Sequence, residues 1–253
     1  MKICLSITTC KRFELFCRTI ISFAKNCKDI NQFECVYHYD DSSSEEDRNL
    51  MEGLIIRLFP NSVYVKKHIN PDDIKSNRRH MEIMKKWKGD TEYFDYVFHL
   101  EDDWLFDKEF NLAEAINLMK LNSDVAYVGF SWERKEFPSD IFTPIVIGNF
   151  WEWYYSEKYE LCEPIFIDKV EMRNLPEGHW IKYINWPYFS FRPGIHDIKK
   201  INKLETFNDS MESFELEFST RFAKLYKSFF YVESVCKHIG LNVSSYELNK
   251  SNR

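Results

Sequence analysis

Glycine and proline are scarce in this chain, at 7 and 8 of 253 residues. So few turn-formers exclude a collagen-like, linker-rich or low-complexity protein. No run of roughly 18 apolar residues occurs, so no membrane span is expected. The opening MKICLSITTCKR breaks its apolar run too early for a secretory signal. The cysteines, at positions 4, 10, 17, 27, 35, 162 and 236, are odd in number and never spaced CxxC. That pattern argues against a disulfide framework or a zinc site, and for small buried thiols in a reducing compartment. A cytoplasmic protein, free or peripheral to a membrane, is expected. A basic surplus is missing too: 34 Lys and Arg stand against 40 Asp and Glu, a net charge of −6. No nucleic-acid partner is expected from that balance. The local group Lys75, Arg78, Arg79, Lys85, Lys86 and Lys88 is the exception.

What is abundant is apolar and aromatic: 44% and 17% of residues, enough to exclude disorder and to bury a sizeable core. The first 130 residues alternate between two periodicities. Strands are expected at 2–9 (KICLSITT), 33–39 (FECVYHY), 62–67 (SVYVKK), 94–100 (FDYVFHL) and 124–131 (DVAYVGFS). Between them, apolar residues recur at helical spacing over 13–27, 46–58, 76–88 and 109–121. Ser43 and Ser44 are candidate N-caps ahead of Glu45, Glu46 and Asp47, acids that suit a helix N-terminus. Strand–helix alternation predicts an α/β fold with a parallel sheet covered on both faces. Ligands of such sheets sit beyond the carboxyl ends of the strands. The second half is less regular. It has an aromatic-dense stretch over 149–195, a helix expected over 211–227 and a short strand near 229–233.

Two acidic motifs fall at expected strand ends. FHLEDDWLF (98–106) places Glu101, Asp102 and Asp103 directly after an apolar run. Three adjacent carboxylates repel unless solvated or neutralised by a cation, and hard oxygen donors suit Mg²⁺ or Mn²⁺ shared with a substrate's phosphates. A solvated acidic turn has the same composition. Strand alternation would point Glu101 and Asp103 the same way and Asp102 opposite. YHYDDSSSEED (37–47) places Asp40 and Asp41 where a carboxylate can accept hydrogen bonds from a ring N–H or ribose hydroxyls, although helix capping uses the same residues.

The string LSITTCKR, the DDSS after the second strand and the EDD after the fourth together resemble a GT-A fold glycosyltransferase of the large family-2-like group. The likeness covers about half of the chain. It implies a Rossmann-like, mostly parallel central sheet flanked by helices, with an aromatic-rich C-terminal acceptor region. Residues 1–131 would be the nucleotide-sugar-binding half, and 132–253 the acceptor-binding and catalytic half of one domain. The resemblance implies that Thr8, Thr9, Arg12, Asp40, Asp41 and Asp102 contact the nucleotide, with Arg78 of SNRRH. It places the metal at Asp103 and Glu101, a variant ExD in place of DxD, with His238 completing the site. ESFELEFSTRF (212–222) is similar to the family's acidic helix, whose carboxylate deprotonates the acceptor. Glu215 and Glu217 are both candidates, and Glu215 borders the Phe218/Phe222 stripe. Trp186, Arg192 and His196 of WPYFSFRPGIHD would form an acceptor wall.

The activity so implied is transfer of a sugar from a nucleoside diphosphate, UDP first and GDP or dTDP next, to a hydroxyl of a glycan or glycosylated acceptor. A divalent cation would assist, with inversion at the anomeric carbon. A sugar nucleotidyltransferase is disfavoured, because TTCKRF lacks the glycines of a phosphate-cradling loop. A phosphatase would need DxDxT after the first strand. A non-catalytic nucleotide- or carbohydrate-binding protein fits the aromatic content equally well.

Overall fold

The computed structural model describes residues 1–69, 79–131, 159–162, 172–174, 180–182, 189–207, 214–231 and 234–240. In chain order the elements are β1 (Ile3–Thr9), α1 (Phe13–Asn26), β2 (Phe33–Asp41), α2 (Glu45–Leu58), β3 (Val63–Ile69), α3 (Arg79–Asp90), β4 (Tyr96–Glu101) and β5 (Trp104–Phe106). They continue with α4 (Leu112–Leu121), β6 (Val125–Gly129), β7 (Tyr159–Cys162), β8 (Met172–Asn174), β9 (Trp180–Lys182), β10 (Gly194–Asp197), α5 (Ile198–Ile201), α6 (Phe214–Ala223), β11 (Lys227–Tyr231) and β12 (Cys236–His238).

Eight strands form the main sheet in the order β3-β2-β1-β4-β10-β6-β11-β7. Period-two alternation divides each inner strand between two apolar layers. Ile3, Leu5 and Ile7 of β1, with Phe98 and Leu100 of β4, face the layer built by Phe16, Ile20 and Phe23 of α1, Met51 of α2 and Ile116 of α4. Cys4 and Val97 face the opposite layer, made by Met84 and Trp87 of α3, Ile201 of α5 and Phe218 and Phe222 of α6. Phe23 packs against Phe33, Phe98, Phe106 and Phe110 at ring separations of 5.1–6.0 Å. Truncating such a ring to alanine costs about 3–5 kcal/mol.

The expected parallel sheet is mixed. β3, β2, β1 and β4 run parallel, as do β6 and β11. β10 lies antiparallel between β4 and β6, and β7 antiparallel to β11. Gly194 opens β10 where the Tyr127 ring covers it: a Cβ there would meet Tyr127 Cζ at 2.6 Å. Helix boundaries follow their caps. Ser44 accepts from the Asp47 amide at 3.0 Å and starts α2, and Asn111 accepts from the Ala113 amide and starts α4.

Parallel register sets the site. Thr8 pairs with Tyr39 on one side and Glu101 on the other, and Thr9 pairs with Asp40. The ends of β1, β2 and β4 are therefore level, and all three acidic or hydroxylic motifs emerge at one edge of the sheet. β10, running the other way, begins at that edge and brings Arg192 to it. The short β5–β12 pair sets His238 opposite Trp104, next to the acidic turn.

Candidate active site

A cleft opens at this edge, lined by Thr8, Thr9, Cys10, Arg12, Asp41, Ile83, Glu101 and Asp102. Asp41 and Asp102 thus share one cleft, as the motif placement requires.

Arg12, in the loop after β1, organises the acidic turn. Its Nη1 donates to Asp103 Oδ2 at 2.7 Å and its Nε to Asp102 Oδ2 at 3.3 Å, while Nη2 pairs with Asp102 Oδ1. The Cys10 amide donates to the same Asp102 oxygen at 2.9 Å. The expected alternation of the three carboxylates fails because β4 ends at Glu101 and the chain turns at 102–103. Asp102 and Asp103 consequently converge on one guanidinium. Burial pushes Asp102 up to about 7, against the opposing pull of Arg12. Burial acts to raise Asp103 as well, but the His238 and Arg12 contacts outweigh it and hold that carboxyl below its ordinary value. Burial and the Asp103 charge push Glu101 up to about 8.

His238 Nε2 stands 3.1 Å from Asp103 Oδ2, and the Ile239 amide donates to the Asp103 carbonyl at 2.8 Å. Trp104, unremarked in the motif reading, joins these parts. Its indole N–H donates to Glu101 at 3.1 Å, its ring lies 5.1 Å from the His238 ring, and the Arg192 guanidinium lies over it at 6.0 Å. The signal for Trp104 is its place directly after EDD, two residues from the equally buried Phe106.

No group of three His, Cys, Asp or Glu side chains among the described residues is placed to hold a metal ion. Two of the three expected ligands, Asp103 and His238, do converge, giving a carboxylate and an imidazole. That set suits Mn²⁺ or Mg²⁺ only if substrate phosphates and water complete the shell. Glu101 is turned to the Trp104 indole, so the expected three-ligand set is not assembled.

The two candidate bases separate cleanly. Glu215, early in α6, accepts at Oε1 from the Phe191 amide at 3.0 Å and the Ser190 hydroxyl at 3.1 Å. Its charge lies close enough to help raise Glu101. Glu217 is held by both arms of Arg221, at 2.6 and 2.8 Å, and Arg221 also donates to the Glu205 and Thr206 carbonyls.

Asp40 is fully buried and accepts from Thr9 Oγ1 at 2.8 Å and the Ser43 amide at 3.1 Å, so it braces the loops while Asp41 faces the cleft. His196 corrects the acceptor-wall expectation. It lies in the middle of β10, fully buried and packed against the Tyr127, Trp87 and Phe189 rings, so it belongs to the core. Arg78 and Trp186 lie outside the described residues, as does most of the aromatic stretch.

No protein-family model matches the chain, and no curated protein matches it in sequence. Solved structures do. S. aureus TarS 1–349 in complex with UDP covers 92% of this chain at 15% identity and a TM-score of 0.54. The mannosyltransferase PcManGT from Pyrobaculum calidifontis, in complex with GDP-Man and Mn²⁺, covers 92% at 11% identity and a TM-score of 0.56. The fold is GT-A. TarS 1–349 in complex with UDP-GlcNAc matches this GT-A chain over 92% of its length at 16% identity and a TM-score of 0.53. The chain spans 56–58% of these three neighbours. No helix among the described residues is long and apolar enough to cross a membrane.

Proposed function

We propose that this chain is a glycosyltransferase that binds a nucleoside diphosphate sugar in the cleft at the ends of β1, β2 and β4. The observation that carries the reading is the convergence of Asp41, Arg12, Asp102, Asp103 and His238 on one sheet edge, in a GT-A chain. The first 131 residues contribute the nucleotide side, and the remainder contributes His238, Arg192 and the catalytic helix.

In this reading Asp41 accepts from the base or ribose, and Thr8 and Thr9 form the cleft floor. Arg12 presents positive charge toward the diphosphate while holding Asp102 and Asp103 in place. Asp103 and His238 are the two protein donors for a divalent cation, Mn²⁺ or Mg²⁺, which when bound with the diphosphate supplies neutralisation of the leaving group's charge. Arg192, fixed over Trp104, borders the acceptor side.

Glu215 is the base. Its Oε1 is anchored by the Phe191 amide and the Ser190 hydroxyl, which fixes the carboxylate while its other oxygen remains available to take the acceptor hydroxyl's proton. Attack by the deprotonated acceptor oxygen on the anomeric carbon, opposite the departing nucleoside diphosphate, inverts configuration. UDP is the first donor nucleotide to test and GDP the second, since structural neighbours were solved with UDP, UDP-GlcNAc and GDP-Man. The test is release of free UDP or GDP from a panel of nucleotide sugars with Mn²⁺. Release that requires Mn²⁺ and Glu215 supports transferase chemistry. Tight nucleotide binding without turnover on any donor and acceptor tried points to a binding protein.

A further inference from the structure

Four polar side chains at and below the cleft floor carry no chemical step in the proposed reaction. Tyr64 on β3, His38 and Asp40 on β2 and Thr9 at the end of β1 form one continuous chain. Tyr64 Oη lies 3.1 Å from His38 Nδ1, His38 Nε2 lies 2.8 Å from Thr9 Oγ1, and Thr9 Oγ1 lies 2.8 Å from Asp40 Oδ2.

Proton counting fixes its direction. The Asp40 carboxylate accepts, so the single Thr9 hydroxyl proton points to it. Toward His38 the Thr9 oxygen can then only accept, and His38 must carry its proton on Nε2. Burial, aided by the charges of His68 and Lys66, pulls His38 down to about 3, which keeps the ring neutral. Nδ1 is then the acceptor, and the Tyr64 hydroxyl donates to it.

Beyond Asp40 the chain reaches both cleft loops. Asp40 Oδ1 accepts from the Ser43 amide at 3.1 Å, with Arg48 Nε 3.5 Å away. Ser43 Oγ accepts from the Lys11 amide at 2.9 Å, and Arg48 donates to the Ser43 carbonyl at 2.9 Å. Lys11 (φ 52°) and Ser42 (φ 68°) are the non-glycine residues with left-handed backbone among those described. Such backbone is unfavourable for a residue with a side chain and persists only where its surroundings fix it. One sits beside Arg12, the other beside Asp41.

We propose that His38 is a positioning residue for the cleft: its Nε2–H aims the Thr9 hydroxyl at Asp40, and through Asp40 and Ser43 it locks the two left-handed loop residues that set where Arg12 and Asp41 stand. The inference rests on the reading of the cleft as a nucleotide site.

Two measurements on the full chain test it. Nitrogen-resolved NMR of the imidazoles at pH 7 is expected to show a neutral His38 ring protonated on Nε2; an Nδ1–H tautomer or an imidazolium overturns the relay whatever the cleft binds. Calorimetry with UDP and with GDP, each with Mn²⁺, then compares wild type, His38→Leu, His38→Gln and Tyr64→Phe, with circular dichroism confirming the fold. Loss of one buried hydrogen bond corresponds to about tenfold in affinity, which is the weakening expected for His38→Leu. His38→Gln, whose amide N–H can reach Thr9, should recover to within about threefold of wild type, a rescue that mere core destabilisation would not give. Unchanged affinity in folded His38→Leu overturns the proposal and leaves the nucleotide site standing. If His38→Leu does not fold, Tyr64→Phe decides: about threefold weaker binding is expected from loss of the outermost relay bond, and unchanged affinity overturns it. Binding of neither nucleotide by wild type removes the underlying reading itself.

Discussion

Asp103 Oδ2 receives His238 Nε2 at 3.1 Å and Arg12 Nη1 at 2.7 Å, so one oxygen ties together the β1 loop, the turn after β4 and the end of β12. Asp103→Ala is expected to keep the fold and lose Mn²⁺-dependent nucleotide binding. His238→Ala, which removes one of the two proposed protein donors, should weaken it by at least about 10–100-fold, the range seen when groups that only orient a ligand are removed. Calorimetry with and without Mn²⁺ checks both.

Gly240 packs directly on that carboxylate. A Cβ there would crowd Asp103 Oδ2 and meet its Cβ at 2.9 Å, and Asp103 is pinned between Arg12 and His238. Gly240→Ala is therefore expected to disturb Mn²⁺-dependent binding by about tenfold, one contact's worth, with a stability loss of about 1–3 kcal/mol from overpacking. Chemical denaturation alongside calorimetry separates the two effects.

The candidate bases predict opposite phenotypes. Glu215→Gln preserves the acceptor geometry for Phe191 and Ser190 and removes the base, so donor binding should persist while turnover falls about 10²–10⁴-fold. Glu217→Gln weakens the Arg221 brace, a partly exposed pair worth about 0.2–1 kcal/mol, and should leave turnover within about twofold, near the limit of what such a loosened brace transmits. Steady-state kinetics with unfolding curves distinguishes them.

On mild acidification the two buried imidazoles work against stability, while Glu101 and Asp102, raised to about 8 and about 7, work the opposite way. His38 and His196 are buried and neutral, and burial pulls both down to about 3. Their unfolded value is roughly 6.5. Between about pH 6.5 and 3 the unfolded chain binds more protons at the two imidazoles, so their contribution to unfolding free energy rises with pH and is lost as pH falls. From pH 6.5 to 5 the two rings together remove about 3 kcal/mol. His196→Phe should remove about half of the imidazole contribution, read by denaturant titration as the difference between variant and wild type in the change of unfolding free energy between the two pH values.

Much of the cleft edge was legible in sequence because it depends on local pattern. Apolar runs ending in DD and EDD mark strand ends, and the parallel register of β1, β2 and β4 then levels them. β10 was not legible: four residues, GIHD, opened by glycine after proline, carry no period-two signal. That omission turned His196 from a core residue into an expected acceptor contact. The carboxylate directions were also hidden, because alternation holds only while the strand continues, and β4 stops at Glu101. The Glu215–Glu217 choice was half legible. Helical phase favoured Glu215, but only the structure pairs Glu217 with Arg221.

The central claim is tested most directly by thermal denaturation of wild type and Asp103→Ala with UDP, GDP or dTDP in the presence of Mn²⁺. Ligand at about 100 times its Kd stabilises the folded form by about 2.7 kcal/mol, several degrees in melting temperature for a chain of this size. The account predicts such a rise for at least one nucleotide with wild type and its loss in Asp103→Ala. An equal rise in both proteins, or none with any of the three nucleotides, would contradict it.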